Sequence, residues 1–128
     1  MTDEPTLKIK VQLFCGDEIA MGPGKADLID AIVEHGSISA AGRAMGMSYS
    51  RAWKLVDVMN RCWSAPLIET MPGRRSGGGA MVTELGRAVL AGYRDLQEQL
   101  DRASAGASLS SLRKAIRTVP LPQQTLRS

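Results

Sequence analysis

Aromatic side chains are scarce: two Trp, two Tyr and one Phe among 128 residues. A core cannot be assembled from rings, and must come from Ala, Leu, Ile, Val and the seven Met. Cysteine is nearly absent. Cys15 and Cys62 are too few for a disulfide framework and fit a reducing compartment. Together with the lone His35 they are the soft metal ligands besides methionine, and no pair stands at CxxC or HxxxH spacing, which argues against a metal site. No apolar run approaches the roughly 18 residues of a membrane span, and the polar N-terminus carries no apolar signal segment, so no membrane association and a cytoplasmic location are expected. Charge of one sign is lacking too: 16 Lys and Arg stand against 13 Asp and Glu, a net of +3 that does not mark a nucleic-acid binder.

A catalytic constellation is also missing. His35 stands at an expected helix end, and the serines from Ser108 to Ser111 have no general base at a recognisable spacing. Gly22-Pro23-Gly24-Lys25 falls short of a phosphate loop. It lacks the four-residue gap between glycines, and Ala26 occupies the place of the Ser or Thr after the lysine. Helix initiation is the better reading, and no enzymatic activity is expected.

What is present is a patterned chain of single-domain length. Leu7 to Leu13 alternates apolar and polar residues, the period of a half-buried strand, and Gly16-Asp17 can turn it towards Ile19-Ala20-Met21. Lys25 to His35 carries Leu28, Ile29, Ile32 and Val33 at helical spacing. Gly36 can close that helix, and Ser37 or Ser39 can cap a short second one reaching Met45. After Gly46, Ser48 can cap a third helix to about Cys62. Leu67 to Met71 and Ala80 to Thr83 read as two strands joined by a glycine-rich connection. Thr83 can cap a long helix containing Leu85, Ala88, Val89, Tyr93, Leu96, Leu100 and Ala103, a stripe long enough to meet a second subunit. Leu109, Leu112, Ile116 and Val119 would line a short basic helix before Pro120, or that tail is disordered.

Three helices, a two-stranded wing and a closing helix give the element order of a winged helix-turn-helix, mainly α with small β. The inner spacing agrees. Ala41-Gly42 supplies the small residue a close helix crossing needs, Gly46 the left-handed turn, and Met45, Met47, Ala52, Leu55, Val56 and Met59 the apolar seam. Tyr49, Ser50, Arg51 and Lys54 are left to face outward on the first turns of the third helix, where base edges of a major groove are read. Arg51 suits a guanine edge, while Ser48 and Lys54 suit phosphate. Trp53 falls at the border between seam and outer face. Charge is concentrated around this segment: between Ser37 and Gly79 six basic residues (Arg43, Arg51, Lys54, Arg61, Arg74, Arg75) face two acids (Asp57, Glu69). Arg74-Arg75, followed by Gly77, Gly78 and Gly79, place cations and close-approaching backbone at the wing, for phosphate or a narrow minor groove.

Several motifs occur in order: Gly22-Pro23-Gly24-Lys25, Gly36-Ser37-Ile38-Ser39-Ala40-Ala41, Met47-Ser48-Tyr49-Ser50-Arg51-Ala52-Trp53, Met59-Asn60, Gly77-Gly78-Gly79-Ala80 and Thr83-Glu84-Leu85-Gly86. From about Leu7 to Asp101 the chain resembles the N-terminal DNA-binding domain of ModE-type molybdate-responsive regulators, which is related to that of LysR-type regulators. The resemblance implies binding of double-stranded DNA at a palindromic operator, by a homodimer held through the first and last helices. It assigns residues 1–104 to the DNA-binding domain and 105–128 to a basic tail. Nothing from Asp101 to Ser128 resembles the molybdate-binding module of such regulators, so no cofactor is expected and direct oxyanion sensing is in doubt. The rival expectation is a winged-helix module that binds protein through the same surfaces and not DNA.

Overall fold

The computed structural model describes residues 5–71 and 78–123. Its elements run β1 (Leu13–Cys15), β2 (Glu18–Met21), α1 (Pro23–His35), α2 (Ile38–Ala44), α3 (Tyr49–Cys62), β3 (Ile68–Met71), β4 (Gly79–Val82), α4 (Glu84–Ser104) and α5 (Ala107–Ala115). Both hairpins are antiparallel, and the second pairs Ile68 with Val82 through to Met71 with Gly79. The architecture is mainly helical with small β, a winged helix-turn-helix.

The helix starts follow from the residues before them. Pro23 opens α1, where a missing N–H costs nothing. Three hydroxyls cap the next helices: Ser37 Oγ accepts from Ala40 N at 3.0 Å, Ser48 Oγ from Arg51 N at 3.1 Å, and Thr83 Oγ1 from Gly86 N at 3.0 Å. Ser39, the other candidate for α2, accepts instead from the Arg43 guanidinium at 2.8 Å.

α1 is the centre of the packing. Its Ala26, Leu28, Ile29 and Ile32 are sealed against Ile38 and Ala41 of α2, Ala52, Val56 and Met59 of α3, the hairpin residues Ile68, Ala80 and Val82, and Tyr93 of α4. Tyr93 is the only aromatic in that core. The wing hairpin is bolted to its neighbours through the backbone. Ala80 N donates to Gly36 O at 2.9 Å and Thr83 N to Leu67 O at 2.9 Å. Gly86 lies so close to this joint that a Cβ there would collide with the Leu67 carbonyl and come within 2.7 Å of Val82 Cγ1.

Three expectations need correction. The alternating stretch from Leu7 does not form a strand; only Leu13–Cys15 does. Its β2 partner is four residues long and offers no ladder for the rest. Residues 7–12 instead lie along α4, with Val11 packed on the core and its carbonyl accepting from Tyr93 OH at 2.7 Å. Val33, assigned to the buried stripe of α1, is 50% exposed. The tail does contain a helix, but it ends at Ala115, and Ile116 and Val119 lie beyond it. That helix borders the N-terminal segment, where Arg113 Nε donates to Pro5 O at 3.2 Å.

Burial raises the Tyr93 phenol above its ordinary range, so it stays a neutral donor to Val11. Tyr93→Phe is expected to cost about 1 kcal/mol in urea denaturation at neutral pH. A raised folded pKa gives stability that is present below the unfolded tyrosine value, about 10, and is lost as pH rises past it. The Phe variant should therefore lose the Tyr93 part of the alkaline decline, measured as a shallower fall of the denaturation midpoint above that pH.

Candidate nucleic-acid interface

The helix pair is held as close as its small residues permit. A Cβ on Gly42 would lie 3.1 Å from Ala52 Cβ, so α2 and α3 cross at van der Waals contact. Between them Gly46 takes φ 71°, a conformation that L side chains adopt only with strain, and Met47 N returns to Gly42 O at 2.9 Å. Ala52, Val56 and Met59 point inward from α3 and are buried. This fixes what points out.

Ser48, Tyr49, Ser50, Arg51 and Lys54 are all exposed on the first turns of α3, as the spacing predicts. The side chains of Arg51 and Lys54 make no hydrogen bond or ion pair with another described residue, whereas Arg61 further along is held by Asp57 at 3.0 Å. The beginning of α3 thus presents unneutralised cations and its end does not. Gly78 borders an open groove of about 270 Å³ between α3, the start of α2 and the wing hairpin. Arg74, Arg75 and Gly77 lie outside the described residues. Trp53, unplaced by sequence, lines the groove with Tyr49, Ile38, Thr70 and Met71 and is 43% exposed.

Among the described residues no group of three or more His, Cys, Asp or Glu could hold a metal ion. Burial and the neighbouring Cys15 thiol push the Cys62 thiol above its ordinary value, the reverse of what a nucleophilic cysteine needs. Among the described residues no helix is long and apolar enough to cross a membrane.

Residues 25–87 match the family of bacterial regulatory helix-turn-helix proteins of lysR type. The chain is 39% identical over 101 residues to the molybdenum-pterin-binding protein MopA of Rhodobacter capsulatus, across 77% of this chain and 38% of that one. It is 33% identical over 97 residues to the DNA-binding transcriptional dual regulator ModE of Escherichia coli (strain K12), across 76% of this chain and 34% of that one. The chain carries a ModE-type helix-turn-helix domain. It spans little more than a third of the length of these curated relatives. Among solved structures, full-length LysG of Corynebacterium glutamicum with bound effector Arg aligns with a TM-score of 0.49 and 24% identity, over 75% of this chain and 30% of that one.

One residue that organises this ModE-type domain is marked in the sequence by the Met59-Asn60 motif, but its role is not. Asn60, near the end of α3, accepts from Leu67 N at 2.9 Å and from Ile68 N at 3.1 Å with Oδ1, and donates from Nδ2 to Ile68 O at 2.9 Å. Its amide satisfies three backbone groups at the entry to the wing and ties the hairpin to the helix that presents Arg51. The sequence signal is its place in the Met59-Asn60 motif, a polar residue set beside the buried Met59, which does not reveal the partners. Three turns earlier on the same helix stands the exposed face, so the two elements keep one relative position.

Asn60→Ala leaves those backbone groups part-buried and unpaired, and is expected to cost about 2–3 kcal/mol. Asn60→Asp keeps an acceptor for both N–H groups but faces the Ile68 carbonyl without a donor, so its loss should be smaller. Urea midpoints of the three proteins check the order.

Proposed function

We propose that this chain is a transcriptional regulator that binds duplex DNA by laying the first turns of α3 in a major groove. The observation that carries this reading is the pair Arg51 and Lys54, exposed and unneutralised on a helix that the turn at Gly46 and the seam at Ala52, Val56 and Met59 hold proud of the surface. A helix so mounted fits the major groove and offers its N-terminal residues to base edges. Arg51 donates to a guanine edge. Ser48, Ser50 and Lys54 serve neighbouring phosphates or bases, and Tyr49 stands at the groove wall. Arg74 and Arg75, with Gly77 and Gly78, bring the wing to the sugar-phosphate chain. The printed name of the Escherichia coli relative, a DNA-binding transcriptional dual regulator, supports the same reading.

The binding unit is residues 1–104 and acts as a dimer on a palindromic operator, with 105–128 as a basic tail. Support for the dimer lies in α1 and α4. The apolar stripe of α4 runs on past Tyr93 to Leu96 and to Leu100, which is 38% exposed, and Val33 of α1 is 50% exposed. Apolar side chains left in water on two helices that already pack together suit the same helices of a second copy.

Two measurements test these points. The affinity for a selected duplex should fall steeply with salt, and Lys54→Ala should lower the slope of log K against log salt by about one. Arg51→Ala should cost roughly 1–3 kcal/mol and relax preference at one base pair. A flat salt plot would instead favour a protein-binding module. In sedimentation equilibrium the wild type should be dimeric, and the double variant Val33→Asp, Leu100→Asp monomeric with an unchanged helical circular dichroism spectrum.

A further inference from the structure

The two tryptophans of this chain are treated differently. Trp63 is half-buried and its indole N–H donates to Ala20 O at 3.0 Å, so both its ring and its polar edge have protein partners. Trp53 is 43% exposed, and its N–H has no acceptor among the described residues. Four residues before it, one helical turn away on the same face, Tyr49 is 58% exposed. The two rings form one wall of the groove between α3 and the wing hairpin, with Ile38 and Met71 adding apolar surface to its lining. In a chain with only five aromatic residues, two stand together on the solvent side of one helix. Packing does not call for them there, since the seam of α3 is complete with Ala52, Val56 and Met59.

We propose that Tyr49 and Trp53 form an aromatic wall that reads the 5-methyl group of thymine in the major groove, and so make the chain selective for A·T pairs beside the base read by Arg51. This rests on the DNA-binding reading above. The argument is one of chemical complementarity. The major-groove edges of adenine, guanine and cytosine offer hydrogen-bonding groups, whereas thymine alone adds a methyl, the one apolar feature a base presents there. An aromatic surface gains nothing by facing a purely polar edge and gains by removing a methyl from water. Tyr49 and Trp53 stand on the same first turns of α3 as Arg51 and Lys54, so a helix seated by those cations on guanine edges and phosphates carries both rings into the groove with it.

The test uses duplexes recovered by the full chain from a random-sequence library. In the recovered consensus each thymine is replaced singly by deoxyuridine, which removes the methyl and leaves every hydrogen-bonding group in place. Wild-type affinity should fall about fourfold at one or two positions in each half-site, the effect of one buried methyl-sized group, and stay unchanged at the others. Trp53→Ala should bind the thymine duplex more weakly and no longer distinguish it from the deoxyuridine duplex at the affected position. Tyr49→Ala, which removes only a largely exposed ring, gives the same comparison should the Trp53 variant fail to fold. Equal affinity of the wild type for thymine and deoxyuridine at every position would overturn the proposal and leave DNA binding intact. Thymine discrimination that persists in full in folded variants at both positions would also overturn it. Recovery of no duplex at all would instead defeat the DNA-binding reading, and this proposal with it.

Discussion

The arrangement of the site depends on one side-chain amide. Asn60 supplies two acceptor contacts and one donor contact to the backbone at Leu67 and Ile68, the point where the chain leaves α3 and turns into the wing. A four-residue strand pair has too few ladder bonds to hold a position by itself. Here its entry is fixed by Asn60, its return strand by Ala80 N on Gly36 O, and its exit by Thr83 on Leu67 O. These ties are polar, and those made by Asn60 are part-buried. They set the wing relative to α3 without needing side-chain volume that this small core does not have.

Apolar packing completes the frame in an unusual currency. With one buried aromatic, the interior is filled by Met21, Leu28, Ile29, Ile32, Val56, Met59 and Leu67, together with alanines that let helices approach closely. α1 touches every other helix of the domain core, and Arg94 on α4 reaches back to Asp27 at 3.0 Å and Asp30 at 2.8 Å. These exposed pairs add little stability singly, but they mark the face on which α1 and α4 run together. The rings not spent in the interior are found at the surface, chiefly on α3.

Much of this was legible in the residues. Helical periodicity and hydroxyl caps located α1 to α4, because local spacing and capping are properties of neighbouring residues. The crossing at Gly42 and the turn at Gly46 were legible for the same reason. What failed were features set by distant partners. Of the alternation from Leu7 to Leu13 only Ile9 and Val11 are half-buried, while Leu7 and Leu13 are exposed, and the backbone at Val11 meets Tyr93, 82 positions on, and not a strand. Val33 continues the apolar spacing of α1 but sits on the side left open. Asn60 stands in a motif of the resemblance, but what it does is hidden until the backbone it serves, seven and eight positions later, is in place. The outward set on α3 was legible as exposed, since it is the complement of the seam. The position of Trp53 was not, because the groove it lines exists only once the hairpin has been folded against the helix.

The contrast between the two indoles has an optical consequence. Trp63 is fixed against the first hairpin through Ala20, while Trp53 stands at an open groove. The intrinsic fluorescence of the chain is therefore the sum of one emitter that is half-buried and hydrogen-bonded and one that stands more open to water. With no other tryptophan in the sequence, occupancy of the groove and integrity of the fold are reported by different parts of a single spectrum, and quenching by a dissolved ion separates them without any label.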